Sequence, residues 1–482
     1  MHISCAISRR RIFFDFLRTM SRRVHSESPP PRSAKRAKME KLTLESFKNG
    51  VVLAPMVRSG ALPSRLFALK HGASLVWAPE TIDKAILHSE RVVDPVTGVV
   101  SYNGKSRAIW TTHPIEKPYL IYQIGSADPE LAVQAAKTVM QDVSGFDLNC
   151  GCPKPFSTHG GMGAALLTNP DLLCSILTAL REAMPPEITV TAKIRLLPSQ
   201  EDTLKLVERI INTGVSALTV HCRTRNMRDR DRAMIERLKE IVEFVKGMGK
   251  DIAVIENGDC LGAEDAKRVR EATGAHSVMI ARAAECNPSC FSNTPLTDIH
   301  ETLVPAYLRL SKYLDNNWSL TKFCLSQFKS SHTKPNGKAD EKRVRESIVK
   351  SRSFDEVVDI AGGWTGEEDF KEIVRAIEAR EGKLHDEAEP STADAEVVGA
   401  PGQAASTTTP STSTNQSSLS RAVEAKSGNK YITPPVTQNP HPPASGAPLI
   451  ADVQRTLPVL ISGKDPLTPT PTGPTPLVMP VL

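Results

Sequence analysis

No stretch of the chain approaches the roughly 20 consecutive apolar residues of a membrane span, so a soluble protein with no membrane partner is expected. Nor is there a cysteine framework. The nine cysteines (5, 150, 152, 174, 222, 260, 286, 290 and 324) are odd in number and scattered, without paired C-x-x-C motifs. That argues against disulfide staples and a structural zinc, and for a reducing compartment; no metal is expected. A strong charge of one sign is missing as well. Of the 60 Lys and Arg, ten crowd into residues 1–38 against Asp15 and Glu27, so the rest is close to neutral despite a formal charge of +6. Any polyanion must therefore be met by local patches.

The two ends differ from the middle. Residues 1–46 carry Arg9-Arg10-Arg11 followed by Ile12-Phe13-Phe14, a pattern like a mitochondrial presequence, and then Lys35-Arg36-Ala37-Lys38, a nuclear-type basic cluster. Met20 offers a second start that would remove the first of these. The expected compartment is cytoplasmic and/or nuclear with a mitochondrial pool, the bland alternative being a disordered basic arm. Sixteen of the 36 prolines fall between Pro390 and Pro480, so residues 383–482 read as a disordered Pro/Thr/Ser-rich tail.

Between the ends, eight short β-rich apolar runs occur at 51–56, 74–80, 118–126, 145–150, 189–196, 217–222, 252–259 and 277–283. Segments of helical spacing separate them at 128–142, 169–184, 200–213, 232–246 and 262–273, several opened by Asp or Asn with Pro or Glu close behind. Alternating strands and helices imply a parallel sheet. Eight units over residues 47–292 match the usual (β/α)8 TIM barrel of about 250 residues, with a doubly wound open sheet as the alternative. Residues 81–117, with Asp94-Pro95-Val96-Thr97-Gly98, read as an inserted hairpin.

A barrel puts its chemistry at the carboxyl ends of its strands, and here those ends are polar. They carry Pro55 and Met56, Glu80, Gln123, Asn149 with Cys152, Lys193 with Arg195, His221 with Arg223, Asn257-Gly258-Asp259, and Ala281-Arg282. Buried polar groups need partners or a ligand, so the ring implies a large polar cofactor. Its phosphate would sit at strands seven and eight. The fourth strand runs into N-C-G-C-P-K-P-F-S-T-H-G-G-M-G at 149–163, a glycine-rich loop in which a thiol could act as nucleophile, ligand or acid. Two inert small hydrophobes are the bland reading of that C-x-C.

Taken together, A-P-M at 54–56, Y-Q-I-G at 122–125, N-x-G-C-P at 149–153 with G-M-G-A-A-L-L at 161–167, A-K-I-R at 192–195, V-H-x-R-T-R at 220–225, N-G-D at 257–259 and M-I-A-R-A-A-x-x-N-P at 279–288 resemble the tRNA-dihydrouridine synthases. The G-C-P-K form and Thr321-Lys322-Phe323-Cys324 look most like the eukaryotic tRNA-dihydrouridine(20) branch. The resemblance implies an FMN enzyme that uses NADPH to reduce uridine to 5,6-dihydrouridine in the D-loop of tRNA, at position 20. It implies Cys152, not Cys150, as the proton donor. Pro55, Met56, Gln123, Lys193, His221, Asn257, Gly258, Asp259, Ala281 and Arg282 would bind FMN, with Lys193 and His221 facing its ring. Asn149, Lys154, Arg223 and Arg225 would meet the substrate. The Trp77-Ala78-Pro79-Glu80 ending of strand two departs from the family pattern and leaves Glu80 without an assigned role.

Basic residues gather where RNA would pass. Arg223, Arg225, Arg228, Arg230 and Arg232 lie within ten residues at the mouth, and residues 301–328 read as a helix followed by a basic stretch to 352. By resemblance, residues 293–382 form a helical tRNA-binding domain on a monomer. Two rivals stay open: a flavin barrel that reduces a free pyrimidine, of dihydroorotate or dihydropyrimidine dehydrogenase type, and a non-catalytic tRNA chaperone.

Overall fold

The computed structural model describes residues 42–332, 334–363 and 365–386. The basic arm up to residue 41 and the tail from 387, with the targeting and disorder readings that fall on them, lie outside the described residues. No helix among the described residues is long and apolar enough to cross a membrane.

The described residues form twelve strands: β1 Val51–Leu53, β2 Val76–Trp77, β3 Thr81–Ile82, β4 Glu90–Val93, β5 Val100–Asn103, β6 Ala108–Thr112, β7 Leu120–Gly125, β8 Gly145–Cys150, β9 Thr189–Leu196, β10 Ala217–Thr224, β11 Ala253–Asn257 and β12 Ser277–Ile280. Eight of them, β1, β2 and β7 to β12, pair in parallel in chain order, and β12 closes back on β1. The closed barrel excludes the open doubly wound sheet. Helix starts follow the capping signals: Asp128 Oδ1 accepts from the N–H groups of Glu130 and Leu131 ahead of Pro129–Val139, and Asn169 and Ser199 do the same for Pro170–Ala183 and Gln200–Asn212.

Alternation along each strand sorts the core into two. Val52, Ala54, Trp77, Ile121, Ala217, Ala253, Ile255 and Met279 fill the barrel interior, and Leu42 and Phe47 close its floor. The core therefore includes Leu42, from the segment read as the arm. Residues on the opposite faces of the strands pack against the surrounding helices. A barrel filled from below leaves its carboxyl end as the open mouth.

Two sequence readings need correction. The insert is a three-stranded antiparallel sheet, β4-β5-β6, rather than a hairpin, anchored by Arg91 and Tyr102, which both donate to the Asp142 carboxylate. Residues 301–328 form two helices, Leu303–Tyr313 and Trp318–Gln327, because Asp315 takes a left-handed turn (φ 52°) and Asn317 caps a new start. Leu303–Tyr313 and Gly366–Asp386 pack on the first barrel helix, Leu62–Lys70, and Gly337–Lys350 packs on Trp318–Gln327. Tyr307 stacks on Phe67 and shares a 2.8 Å hydrogen bond with Ser64, while Arg380 donates to the Leu69 and Ala73 carbonyls.

Candidate active site

The mouth is built upward from a fully buried acid that the sequence reading passed over. Asp147 lies opposite Gln123 on β7 and Thr191 on β9, and accepts from Gln123 Nε2 at 2.7 Å and Thr191 Oγ1 at 2.6 Å. Burial pushes this carboxyl up to about 6, against the pull of those two donors and of Lys193. Fixing the Gln123 amide nitrogen leaves its oxygen as the end available to a ligand.

Above this layer Lys193 Nζ donates to Asn257 Oδ1 at 2.9 Å, and Asn257 Nδ2 donates to the Met279 carbonyl at 2.8 Å. Burial, with Arg195 nearby, pulls the Lys193 ammonium down to about 8, so it is still largely charged at neutral pH. His221 is pulled down much further, by burial first and then by Lys193, Arg195, Arg223 and Arg282 around it. It is a neutral imidazole, accepting from Arg223 Nη1 at 3.3 Å.

Four cations converging on one histidine make a site that calls for an anion. Asp259 is the acid among them. Its backbone sits in the left-handed region (φ 59°), which Asp tolerates, and its carboxylate engages both Arg223 and Arg282 while accepting from the Ala233 N–H at 2.8 Å. The Asp259 side chain thus holds arginines and is not itself directed at a phosphate. Gly258 beside it is buried, and a Cβ there would lie 2.6 Å from that of Ala233, so the turn is closed to other residues. Ala281 and Arg282 start the short helix Arg282–Cys286, and Pro55 and Met56 follow β1 on the neighbouring wall, both half-buried.

The reactive loop is held from two sides. Asn149 Oδ1 accepts from the N–H groups of Gly151 and Cys152, each at 3.0 Å, and Arg195 Nε donates to the Gly151 carbonyl at 2.9 Å. Asn149 therefore has its amide nitrogen, not both polar ends, left beyond the loop, and that end lies by the Glu80 carboxyl. Cys152 is half-buried at the mouth, whereas Cys150 points into the core, fully buried, with its thiol on the Leu148 carbonyl. Burial raises the Cys152 thiol, the Glu80 charge adds to that, and the Lys154 backbone N–H, Arg195 and Lys193 work against it. The thiol keeps its proton at neutral pH, as a proton donor must and a thiolate nucleophile must not.

Of the residues expected to meet a substrate, Lys154 and Arg225 are exposed at the mouth, but Arg223 is not available. It is 3% exposed and spends its guanidinium on the Asp231 carbonyl, His221 and Asp259. Its role is to brace the loop that carries Arg225, Arg228, Arg230 and Arg232, all exposed. Phe156 was missed. It is 47% exposed two residues beyond Lys154, and its signal was an aromatic set in a polar, proline-flanked loop.

Comparison with known proteins supplies the context for this geometry. A sequence model of the dihydrouridine synthase (Dus) family matches residues 52–333. The chain is 49% identical over 292 residues to the tRNA-dihydrouridine(20) synthase [NAD(P)+] of Schizosaccharomyces pombe, which covers 59% of this chain and 60% of that protein. It is 40% identical over 302 residues to the protein of the same description from Saccharomyces cerevisiae, covering 58% of this chain and 77% of the relative. A tRNA-dihydrouridine(20a/20b) synthase [NAD(P)+] of S. cerevisiae is 30% identical over 243 residues, covering 50% of this chain and 61% of that protein.

Proposed function

The chain belongs to the dihydrouridine synthase family, and from that premise we propose that it reduces a uridine of tRNA to 5,6-dihydrouridine, using FMN reduced by NAD(P)H. The S. pombe and S. cerevisiae relatives described as (20) synthases favour position 20 of the D-loop. The observation that carries the reading is a protonated, half-buried Cys152 held on a fixed loop beside a cluster of four cations around a neutral histidine.

FMN fits the donor set of that cluster. Arg282, with backbone N–H groups of the Asn257-Gly258-Asp259 turn, would take its phosphate; Gln123, Lys193 and Asn257 would meet the ring system, and Pro55, Met56 and Ala281 would pack against it. When bound, FMN supplies the hydride for C6 of the uracil. The chain's own residues do the rest. Asn149 Nδ2 orients the base, Cys152 Sγ gives its proton to C5, and Lys193 stabilises negative charge developing on the base in a site shielded from water.

The substrate base must leave its stack to reach Cys152, so the RNA needs holding around the mouth. Lys154, Arg225, Arg228, Arg230 and Arg232 offer charge for phosphates on one side. On the helical part, Lys338, Lys342, Arg343, Arg345 and Lys350 are exposed along Gly337–Lys350, which supports a tRNA-binding role for that region.

The test is to incubate purified protein with NADPH and unmodified tRNA and to map dihydrouridine by mass spectrometry of a nuclease digest. New dihydrouridine in the D-loop, with yellow protein, is expected. Cys152→Ala should keep the flavin and lose about a hundredfold or more of turnover, the usual worth of a positioned acid. Colourless protein that cannot be reconstituted with FMN would overturn the reading, and NADPH oxidation by a free pyrimidine with tRNA unchanged would replace tRNA as the substrate.

A further inference from the structure

Glu80 has no part in the scheme above, yet its surroundings are built around its carboxyl. The strand that should end there is interrupted: β2 stops at Trp77, the Ala78 N–H gives one last hydrogen bond to the Ile121 carbonyl of β7, and after Pro79-Glu80 the pairing with β7 resumes at β3. Pro79 has no N–H to give the ladder, so the chain is free to turn the Glu80 side chain toward the reactive loop. There it is buried, and Ser157 Oγ, itself fully buried, donates to its Oε1 at 3.1 Å.

Two glycines clear the space for this contact. A Cβ on Gly125 would lie 2.6 Å from Glu80 Oε1. At Gly163, in the left-handed region at φ 58°, a Cβ would collide with Ser157 Oγ and lie 3.2 Å from Cys152 Cβ. Ser157 and Cys152 therefore crowd the same glycine, and Ser157 ties the acid to that spot. The Asn149 and Cys152 side chains lie close enough to the carboxyl to stabilise its ionised form. Its second oxygen, Oε2, is buried without a hydrogen-bond partner among the described residues.

A buried carboxyl with one unpartnered oxygen beside a thiol is a place to keep a proton. We propose that Glu80 is the proton store for Cys152, returning a proton to the thiolate after each turnover while Ser157 holds the carboxyl in place. The step rests on the uridine-reducing reading for its first half. Cys152 Sγ–H gives its proton to carbon and is left as thiolate. The Glu80 O–H bond then breaks as the S–H bond re-forms, and the carboxylate recovers its proton from water. No electron changes hands in the relay.

The surroundings favour the protonated acid. Burial raises the Glu80 carboxyl, outweighing the donors Ser157, Asn149 and Cys152. Cys150 and Cys152 both feel its charge, Lys193 and Arg195 act on Cys152 from β9, and Asp83 on the β3 side is occupied by Ser126 Oγ. In this arrangement the thiol and the acid answer to each other's charge.

The experiment has one reading without flavin or tRNA and one with both. In apo-protein, alkylation of Cys152 by iodoacetamide is followed against pH by peptide mass spectrometry. Above the pH at which Glu80 ionises, Glu80→Gln replaces a carboxylate by a neutral amide, so there the thiol should ionise at lower pH and alkylate roughly threefold faster at a fixed pH below its midpoint. In the loaded enzyme, wild-type kcat should fall at high pH as Glu80 loses its proton. Glu80→Gln should be roughly tenfold slower with that limb gone, and Glu80→Asp should restore the limb. Should Glu80→Gln not fold, Ser157→Ala keeps the acid but removes its donor, and must move the limb to higher pH. An unshifted alkylation curve together with an unchanged limb overturns the proposal while dihydrouridine formation stands. Coupled alkylation in a wild-type protein inactive on tRNA overturns the functional reading instead.

Discussion

Replacing Asp147 by Asn should stabilise the protein relative to wild type progressively as pH rises. The carboxyl is fully buried and titrates near 6 in the fold, against an ordinary value of 3.8. The native state thus binds this proton more tightly than the unfolded chain does. Stability from this group is fully present below the unfolded value and is lost as pH rises through the folded one. At about 1.4 kcal/mol per unit, the whole loss is roughly 3 kcal/mol, and about half of it falls between about pH 5 and about pH 7.5. Asparagine has the same size and no charge to bury. It must present an NH2 group to either Gln123 or Thr191, but that mismatch is the same at every pH and drops out of the comparison. Urea unfolding of both proteins, followed by far-UV circular dichroism across that range, should show wild type losing about 1.4 kcal/mol relative to Asp147→Asn. Parallel pH courses for the two proteins would refute the buried-acid reasoning, whatever the offset between them. The same substitution lets the Gln123 amide turn over, so FMN affinity should fall even where stability improves.

Three further substitutions test other parts of the structure. Arg282→Ala removes the exposed partner of Asp259 at the phosphate end and should leave FMN roughly tenfold less tightly held, read from the flavin-to-protein absorbance ratio after gel filtration. Phe156→Ala should raise KM for tRNA several-fold with flavin content unchanged, since stacking on an aromatic is worth about 1–3 kcal/mol per base; an unchanged KM would remove Phe156 from the RNA path. Glu116→Ala strands Arg65, which is 1% exposed and otherwise bonded to the Gly60 and Thr111 carbonyls, and should cost about 3–5 kcal/mol in denaturant unfolding. Because Gly60 follows Met56, that loss should also loosen the cofactor wall.

The barrel was legible because its signals are local: apolar runs bounded by caps, each ending in polar residues, repeated eight times. Strand bounds at β8 and β9 coincide with the expected ones for that reason. What sequence hid was direction. Arg223 and Arg225 look alike in a run of arginines, but β10 ends at Thr224, so Arg223 is still held in the barrel wall while Arg225 lies past the strand in solvent. His221 carries no mark of neutrality in the sequence; that follows from three arginines and a lysine brought together from strands far apart in the chain and from the start of Arg282–Cys286. The second break, at Asp315, had a signal in Asp315-Asn316-Asn317, turn formers followed by a cap, which the run of leucines on either side concealed.

Two acids now flank the chemistry, and their settings divide the work between them. Asp147 accepts from Gln123 and Thr191 and feels Lys193, so it can ionise near neutral pH and act as a fixed negative base for the layer above. Glu80 has Ser157 on one oxygen, no hydrogen-bond partner among the described residues on the other, and the Asn149 and Cys152 side chains close by. An acid with one oxygen unpartnered beside a thiol can part with its proton to a neighbour more basic than itself. Different neighbours on two buried carboxyls are how one pocket keeps an electrostatic role separate from a proton-carrying one. Exchanging the settings tests this directly. Ser157→Lys would place an ammonium against Glu80 and hold it ionised, so Cys152 should lose its proton supply while Asp147, and with it the Gln123 position and FMN content, stays as it was. A Ser157→Lys protein with wild-type turnover and pH profile would show that the two acids do not divide the work.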